Sequence, residues 1–263
     1  MLKRIITGSI AGISVVGLIY YSHYGLALFC VVVSFVGLIE FYKLLSLKIN
    51  SLHTIFTLIS SLFLWLTIPY PKLFPLTLII FPVLSIILLY DKTQTAPFQT
   101  LAYLLLGIIY IQLPFILLYL IAFQNYTPFS YQYQLPLGIL FLMWSADSFA
   151  YFVGKWLGKH KLFPRISPKK TYEGLAGGLI FSLALGYGLN HWFPQNHLNW
   201  LFLSLIITLS GLFGDLVESM LKRSLNIKDS GSILPGHGGI LDRFDGFFLA
   251  MPCVFCYYTN FTF

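Results

Sequence analysis

Long apolar runs separated by short connections constrain this chain more than any other feature of its sequence. Hydropathy predicts nine segments that are each long enough to cross a bilayer as a helix. They are residues 5–21, 25–42, 52–69, 73–90, 100–122, 135–154, 174–193, 199–219 and 241–259. Only 10% of the residues are charged, against about 25% in soluble domains, which excludes a water-soluble surface. The sequence therefore predicts an all-α polytopic membrane protein with about nine transmembrane helices.

The predicted spans fall into two regions of different character. Residues 1–123 form an N-terminal transmembrane region of about five spans that contains only two of the nine acidic residues. Residues 124–263 form a region of about four spans with two basic connecting loops and the other seven acids. Because acidic side chains are rare in spans unless they have a function, we expect the C-terminal region to be catalytic.

The positive charges predict how the chain is oriented. If the N-terminus is cytoplasmic, 15 of the 16 Lys and Arg residues lie on the cytoplasmic side and only Lys72 lies outside. An excess of Lys and Arg in cytoplasmic loops is the feature that sets membrane orientation. This placement also accounts for the net charge of +7 without a nucleic-acid partner. We expect a multi-pass protein of the cell (inner) membrane whose active site faces the cytoplasm.

Several carboxylates interrupt the predicted spans of the C-terminal region. Asp147 lies in the sixth span, Asp215 and Glu218 lie in the eighth, and Asp242 and Asp245 begin the ninth. A carboxylate at the centre of a span costs about 2.5–3.5 kcal/mol on insertion scales, so several together require a partner or a water-filled cavity. With the predicted orientation, all five lie at a similar depth near the cytoplasmic surface. We interpret them as parts of one site.

Glu40 is the acid for which a local ion pair is the simpler interpretation. It lies near the cytoplasmic end of the second span, three residues before Lys43. Side chains three residues apart on a helix are neighbours. The sequence therefore predicts a structural ion pair between Glu40 and Lys43.

Helical spacing groups the charged residues of the eighth segment. Asp215, Ser219 and Lys222 follow one another at i, i+4 and i+7 and fall within a narrow arc, with Glu218 beside them. The two aspartates of the ninth segment share a face in the same way. Hard divalent cations such as Mg²⁺ prefer carboxylate oxygens, and substrate phosphates often complete their shell. Carboxylates next to Lys and Arg at a membrane surface therefore indicate phosphoryl or nucleotidyl transfer.

Two basic or glycine-rich segments could supply phosphate contacts. Residues 167–171 (Ser-Pro-Lys-Lys-Thr) offer two ammonium groups and two hydroxyls beside a proline. Residues 235–239 (Pro-Gly-His-Gly-Gly) lead into the ninth helix, and amides at a helix N-terminus favour anions. We expect His237 to donate to phosphate or to organise its loop. A patch that binds lipid headgroups is the alternative for residues 167–171.

The stretch 219–245 resembles the diagnostic motif of the phosphatidate cytidylyltransferases, also called CDP-diacylglycerol synthases. It reads Ser-Met-Leu-Lys-Arg-Ser-Leu-Asn-Ile-Lys-Asp-Ser-Gly-Ser-Ile-Leu-Pro-Gly-His-Gly-Gly-Ile-Leu-Asp-Arg-Phe-Asp. Residues 145–174 are similar to a second typical segment of that family. The first 120 residues resemble it only in hydropathy and length. One departure is Gly246, where many members have Ser.

This resemblance implies that CTP and phosphatidate are converted to CDP-diacylglycerol and pyrophosphate with Mg²⁺, a second cation being a further option. It also implies a homodimer in which Asp215 and Asp242 hold the metal. The expected catalytic residues are Asp215, Lys222, Arg223, Asp242 and Asp245. The expected substrate-binding residues are Ser167, Lys169, Lys170, Thr171, Ser219, Lys228, His237, Gly238, Gly239 and Arg243. Supporting roles are expected for Asp147, Glu218 and Asp229.

Two other functions stay open at this point. A CTP-dependent lipid-alcohol kinase of the dolichol or phytol kinase kind would have a related topology but would transfer the γ-phosphoryl group of CTP. A cation-coupled transporter would use acids along its pathway. The transporter is less favoured, because the predicted acids cluster at one membrane face and the sequence shows no inverted repeat.

Overall fold

Helices make up nearly all of the fold. The structure is a computed structural model that describes residues 2–123, 131–193, 198–231 and 238–261. The helices are α1 (Leu2–Tyr21), α2 (His23–Leu44), α3 (Leu52–Thr67), α4 (Ile80–Tyr90), α5 (Pro97–Gly107), α6 (Leu113–Ile121), α7 (Gln134–Leu157), α8 (Tyr172–Trp192), α9 (Trp200–Ser224) and α10 (Leu241–Phe261). Each of the nine hydropathy segments overlaps a continuous helical stretch within this described part of the chain.

Two of these stretches are composite, because proline interrupts the regular α-helical ladder. A 3₁₀ segment at Pro71–Ile79 runs directly into α4. A π-helical segment at Ile108–Gln112 joins α5 to α6. Pro114 follows this segment and has no N–H to donate to the carbonyl four residues earlier, so the helix widens there. Tyr110 is part of the widened turn.

Five helical stretches of the described residues are long and apolar enough to cross a membrane. They are His23–Leu44, Pro71–Tyr90, Pro97–Ile121, Gln134–Leu157 and Trp200–Ser224. This finding agrees with the predicted helical membrane protein. The number of nine spans and the cytoplasmic N-terminus stay predictions.

A small β-hairpin in the described part of the chain is an element that the all-α prediction did not include. Strands β1 (Lys161–Phe163) and β2 (Ser167–Thr171) pair antiparallel, with Lys161 opposite Thr171. The hairpin lies between α7 and α8, in the predicted basic loop. It gives the Ser-Pro-Lys-Lys-Thr segment a fixed backbone.

Small residues allow the C-terminal helices to approach closely, as is common in membranes. A Cβ on Gly178 of α8 would lie 2.7 Å from the carbonyl oxygen of Ala146 on α7. A Cβ on Gly214 of α9 would lie 2.7 Å from the carbonyl oxygen of Asp245 on α10. The second crossing brings Asp215, the residue after Gly214, next to the first turns of α10.

An aromatic cluster joins α2 and α6 to α10. The ring of Phe115 lies 4.7 Å from that of Phe247 and 5.3 Å from that of Phe244, and Phe29 lies 6.2 Å from both Phe115 and Phe244. Tilted and edge-on pairs at these distances are favourable arrangements of aromatic rings. The cluster therefore fixes the start of α10 against helices of the first 123 residues.

Candidate active site

Four carboxylates approach one another where α7, α9 and α10 meet. Asp245 interacts electrostatically with Asp215, Glu218 and Asp147, and Asp147 also interacts with Asp215 and Lys170. The close crossing of α9 and α10 explains why acids from separate helices meet. The structure thus brings together most of the acids that the sequence assigned to one site.

Asp215 is held by a lysine from the β-hairpin. Lys170 Nζ lies 2.6 Å from Asp215 Oδ2, and the Ser219 hydroxyl donates to Asp215 Oδ1 at 3.1 Å. The side chains of Asp215 and Lys170 are 32% and 21% exposed, so a ligand can reach both. The hairpin therefore carries one cation of the Ser-Pro-Lys-Lys-Thr segment directly to the acid cluster.

Lys222 connects the acids of α9 with those of α10. Its Nζ lies 2.7 Å from Asp242 Oδ1 and 3.3 Å from Glu218 Oε2. Glu218 is only 1% exposed, and neither of its carboxylate oxygens accepts a hydrogen bond from the described residues. Buried carboxylates need a compensating positive charge. Lys222 supplies it here, and Glu218 keeps unused acceptor capacity for a cation.

Asp242 organises the loop that precedes α10. Its Oδ2 accepts hydrogen bonds from the Ser230 N–H at 3.1 Å and the Gly239 N–H at 3.0 Å, and the Ser230 hydroxyl oxygen lies 3.0 Å away. Gly238 has φ +81°, a conformation that favours glycine, and a Cβ there would lie 2.9 Å from Asp242 Oδ2. With Lys222 on Oδ1, both oxygens of Asp242 are engaged.

Glu40 belongs to this arrangement, although the sequence assigned it elsewhere. The predicted ion pair with Lys43 is wrong, because the carboxylate of Glu40 points to the described part of the loop before α10 (residues 225–231 and 238–240), called the motif loop below. Its Oε2 accepts from the Ile240 N–H at 2.8 Å and its Oε1 from the Leu241 N–H at 3.2 Å and from the Ser230 hydroxyl. Its depth at the cytoplasmic end of the second span was the signal that could have revealed it.

Tyr110 is a second residue that the sequence did not indicate. Its hydroxyl is buried and has no hydrogen-bond partner among the described residues. It interacts electrostatically with Glu218, Asp245 and Asp215. The widened π-helical turn before Pro114 places this hydroxyl beside the acids, an effect that hydropathy does not reveal.

Two of the predicted site residues make hydrogen bonds to backbone groups of the protein. Thr171 is buried, and its hydroxyl accepts from the Gly174 N–H at 3.1 Å, which caps α8. Arg223 is exposed, and its guanidinium donates to the Ile227 carbonyl at 3.3 Å. Ser167 is half-buried in β2. The exposed predicted residues are Lys169, Lys228, Asp229 and Arg243. His237 lies outside the described residues.

Glu173 anchors the β-hairpin to the first turn of α8. Its carboxylate accepts from the Lys159 N–H at 3.1 Å and lies 2.6 Å from His160 Nδ1. Its own backbone N–H and the His160 side chain lower the pKa of Glu173 to about 2. Glu173 is therefore ionised at neutral pH and stabilises the base of the hairpin that carries Lys170.

The acids fit a magnesium ion that takes most of its ligands from substrate. No group of three or more His, Cys, Asp or Glu side chains is placed to hold a metal ion in the described part of the chain. Mg²⁺ is commonly bound by one or two carboxylates together with water and substrate phosphates. Asp215, whose side chain is 32% exposed, suits such a site.

Carboxylates that hold two lysines beside the start of α10 form the kind of site that transfers phosphoryl or nucleotidyl groups. The chain belongs to the cytidylyltransferase family, whose model matches residues 2–261. It is 38% identical over 267 aligned positions to the phosphatidate cytidylyltransferase of Bacillus subtilis (strain 168), covering 97% of this chain and 96% of that protein.

Two staphylococcal proteins show the same similarity over a shorter range. The phosphatidate cytidylyltransferase of Staphylococcus aureus (strain COL) is 41% identical over 157 residues, which is 59% of this chain and 58% of that protein. The phosphatidate cytidylyltransferase of Staphylococcus saprophyticus is 43% identical over 159 residues, again 59% and 58%. These matches confirm the family predicted from the motif.

Proposed function

We propose that this enzyme transfers CMP from CTP to phosphatidate in the presence of Mg²⁺, producing CDP-diacylglycerol and pyrophosphate for phospholipid biosynthesis. The observation that carries the proposal is that the acids hold two lysines, Lys170 on Asp215 of α9 and Lys222 between Glu218 of α9 and Asp242 of α10. Relatives that are named phosphatidate cytidylyltransferases support the choice of substrates.

The reaction needs charge neutralisation more than proton transfer. A phosphate oxygen of phosphatidate attacks the α-phosphorus of CTP in line, and the bond from the α-phosphorus to the bridging oxygen of pyrophosphate breaks. Since the attacking phosphate is already ionised at neutral pH, no strong general base is required. The protein contributes by positioning the reactants and stabilising the leaving pyrophosphate.

The lysines and acids of the site have different roles in the transfer reaction. Lys170 and Lys222 place two ammonium groups where substrate phosphates would enter. We assign Mg²⁺ to Asp215 and Asp242, with Asp245 and Asp147 in support. When bound, the metal would neutralise phosphate oxygens in the transition state. Because Asp242 already accepts from Ser230, Gly239 and Lys222, its second role is to hold the loop before α10.

Which phosphorus of CTP carries its radiolabel into lipid distinguishes this function from the lipid-alcohol kinase alternative. Purified protein supplied with phosphatidate and CTP labelled at the α-phosphorus should yield labelled lipid, whereas CTP labelled at the γ-phosphorus should yield only labelled pyrophosphate. Transfer of the γ-label to a lipid alcohol would instead establish a lipid-alcohol kinase. Ion flux into proteoliposomes without nucleotide would establish a transporter.

We also propose that the active site faces the cytoplasm of the cell and that the enzyme is a homodimer in the inner membrane. The distribution of Lys and Arg supports the orientation, and resemblance to the family supports the dimer. In a variant without its three native cysteines, a cysteine at Arg165 or Lys228 should react with an impermeant maleimide only after the membrane is opened.

A cysteine at a position predicted to lie on the outer side of the membrane provides the control for this topology test. His191 is exposed at the end of α8 and is predicted to lie outside. His191→Cys should react in intact cells, where Arg165→Cys and Lys228→Cys should not. The reverse pattern would overturn the orientation.

A further inference from the structure

Glu40 is a buried acid from the first third of the chain that reaches the motif loop. It is 3% exposed. Both of its carboxylate oxygens accept backbone N–H groups at the start of α10, from Ile240 at 2.8 Å and Leu241 at 3.2 Å. Free N–H groups and the helix dipole make a helix N-terminus favourable for a carboxylate. Glu40 therefore caps α10 from a helix that lies 200 residues earlier in the chain.

The glycines of the motif loop leave room for this carboxylate. A Cβ on Gly239 would overlap with Glu40 Oε1, and a Cβ on Gly231 would lie 3.0 Å from Glu40 Cδ. The first contact is closer than real Cβ atoms approach other atoms, and the second is tighter than most Cβ contacts. The two glycines are thus explained by the position of the Glu40 side chain, in addition to any contact they make with a ligand.

A continuous set of contacts links Glu40 to the lysine of α9. The Ser230 hydroxyl donates to Glu40 and also lies 3.0 Å from Asp242 Oδ2. Asp242 in turn holds Lys222 Nζ at 2.7 Å through its other oxygen. The carboxylate of Glu40 therefore sets the position of Ser230, and Ser230 sets the orientation of Asp242.

We propose that Glu40 is a positioning residue for the transfer reaction, because it fixes Ser230 and the first turn of α10 and thereby holds Asp242 and Lys222 in the orientation that meets the substrate phosphates. Glu40 itself touches neither substrate. The inference rests on the proposed function, since it concerns the geometry of the same site. It gives the N-terminal helices a part in catalysis that their hydropathy does not indicate.

The substitution Glu40→Gln tests this inference with little change of volume. An amide keeps one acceptor oxygen but replaces the other with a donor, so the N–H groups of Ile240 and Leu241 and the Ser230 hydroxyl can no longer all be satisfied. In purified full-length enzyme we expect kcat to fall about tenfold, with the KM values for CTP and phosphatidate within about twofold of wild type. The melting temperature, measured on the same samples, separates this effect from loss of fold.

Coupling to Asp242 distinguishes positioning from general stabilisation. If Glu40 acts through Asp242, adding Glu40→Gln to Asp242→Asn should lower kcat by less than about twofold more, because coupled residues are non-additive. A full tenfold further loss in the Asp242→Asn background would overturn the inference. So would a folded Glu40→Gln enzyme with wild-type kcat.

Two further variants keep the test decisive. If Glu40→Gln does not fold, Ser230→Ala removes only the hydroxyl that bridges Glu40 and Asp242, and we expect kcat to fall about threefold or more. An unchanged kcat in Ser230→Ala would reject the inference. Asp91→Asn is the matched control, because Asp91 accepts from the Thr93 N–H at 2.9 Å away from the site and should keep wild-type kcat.

The experiment separates failure of this inference from failure of the proposed function. Wild-type enzyme that forms no CDP-diacylglycerol from CTP and phosphatidate would refute the proposed function itself. Wild-type enzyme that is active, together with Glu40→Gln and Ser230→Ala enzymes that are equally active, would refute only the role of Glu40.

Discussion

Replacing Asp215 with Asn should lower kcat at least a hundredfold, which corresponds to about 3 kcal/mol of lost transition-state stabilisation. The substitution keeps the size of the side chain and one oxygen but removes the charge that holds Lys170 Nζ at 2.6 Å. It also removes a carboxylate that we assign to Mg²⁺. The measurement is steady-state formation of CDP-diacylglycerol at several Mg²⁺ concentrations.

The metal dependence of the same variant makes the prediction specific. Activity of the wild-type enzyme should disappear with EDTA and return with Mg²⁺, whereas Asp215→Asn should need more Mg²⁺ for half-maximal rate. Asp245→Asn and Asp147→Asn should cost less, because we place them in support of the metal ligands. Asp91→Asn, outside the site, is the control. Wild-type rate and unchanged Mg²⁺ dependence in Asp215→Asn would show that the acids are structural ion pairs.

The acid cluster was largely predictable from the sequence, because depth in a membrane follows from position along a span. Asp147, Asp215 and Asp245 could be placed at one level by counting residues from the ends of apolar segments. The contact of Asp215 with Lys170 could not be predicted in the same way. It depends on how the β-hairpin folds back onto α9, and short polar strands leave no signal in hydropathy.

The role of Glu40 was missed because its partners lie 190 to 201 residues away in sequence. Local spacing offered Lys43 as the nearest opposite charge, and the depth of Glu40 in its span does not by itself identify the partner of the carboxylate. The structure shows that free N–H groups at the start of α10 compete successfully for this carboxylate. Tertiary contacts decide the partner of a buried acid, and the sequence supplies only its depth.

The spacing of a motif does not by itself show which way neighbouring side chains on a helix point. Lys222 and Arg223 are neighbours in the motif, and both were expected at the phosphates. Successive residues on an α-helix point about 100° apart, so the two side chains leave α9 in different directions. Lys222 contacts Asp242 of α10, and Arg223 is exposed beside the Ile227 carbonyl, so its contact with phosphate stays a prediction.

Gly246 lies where α9 and α10 cross closely. A Cβ at Gly246 would lie 3.0 Å from the carbonyl oxygen of Gly211, closer than most such contacts. The Gly246 N–H donates to Asp245 Oδ1 at 2.6 Å. In this chain the crossing of α9 and α10 is therefore built on small residues on both helices, which draws Asp245 towards Asp215.

Lys222→Gln should lower kcat at least tenfold, a far larger loss than any it causes in the amount of inserted protein. Lys222 is the only described cation within 4 Å of both Glu218 and Asp242, so its loss leaves a buried carboxylate at Glu218 without compensation and removes a charge for the leaving pyrophosphate. Turnover and protein abundance in membranes are measured together.

The contrast with Lys43 decides whether Lys222 acts on phosphate or only anchors the helix. Lys43 is exposed in the last turn of α2 and is predicted to lie at the same membrane surface, so Lys43→Gln removes an equivalent anchor charge. We expect Lys43→Gln to keep wild-type turnover. Equal, small losses in the two variants would leave Lys222 with an anchoring role, whereas a loss confined to Lys222 places its ammonium group in the transfer reaction.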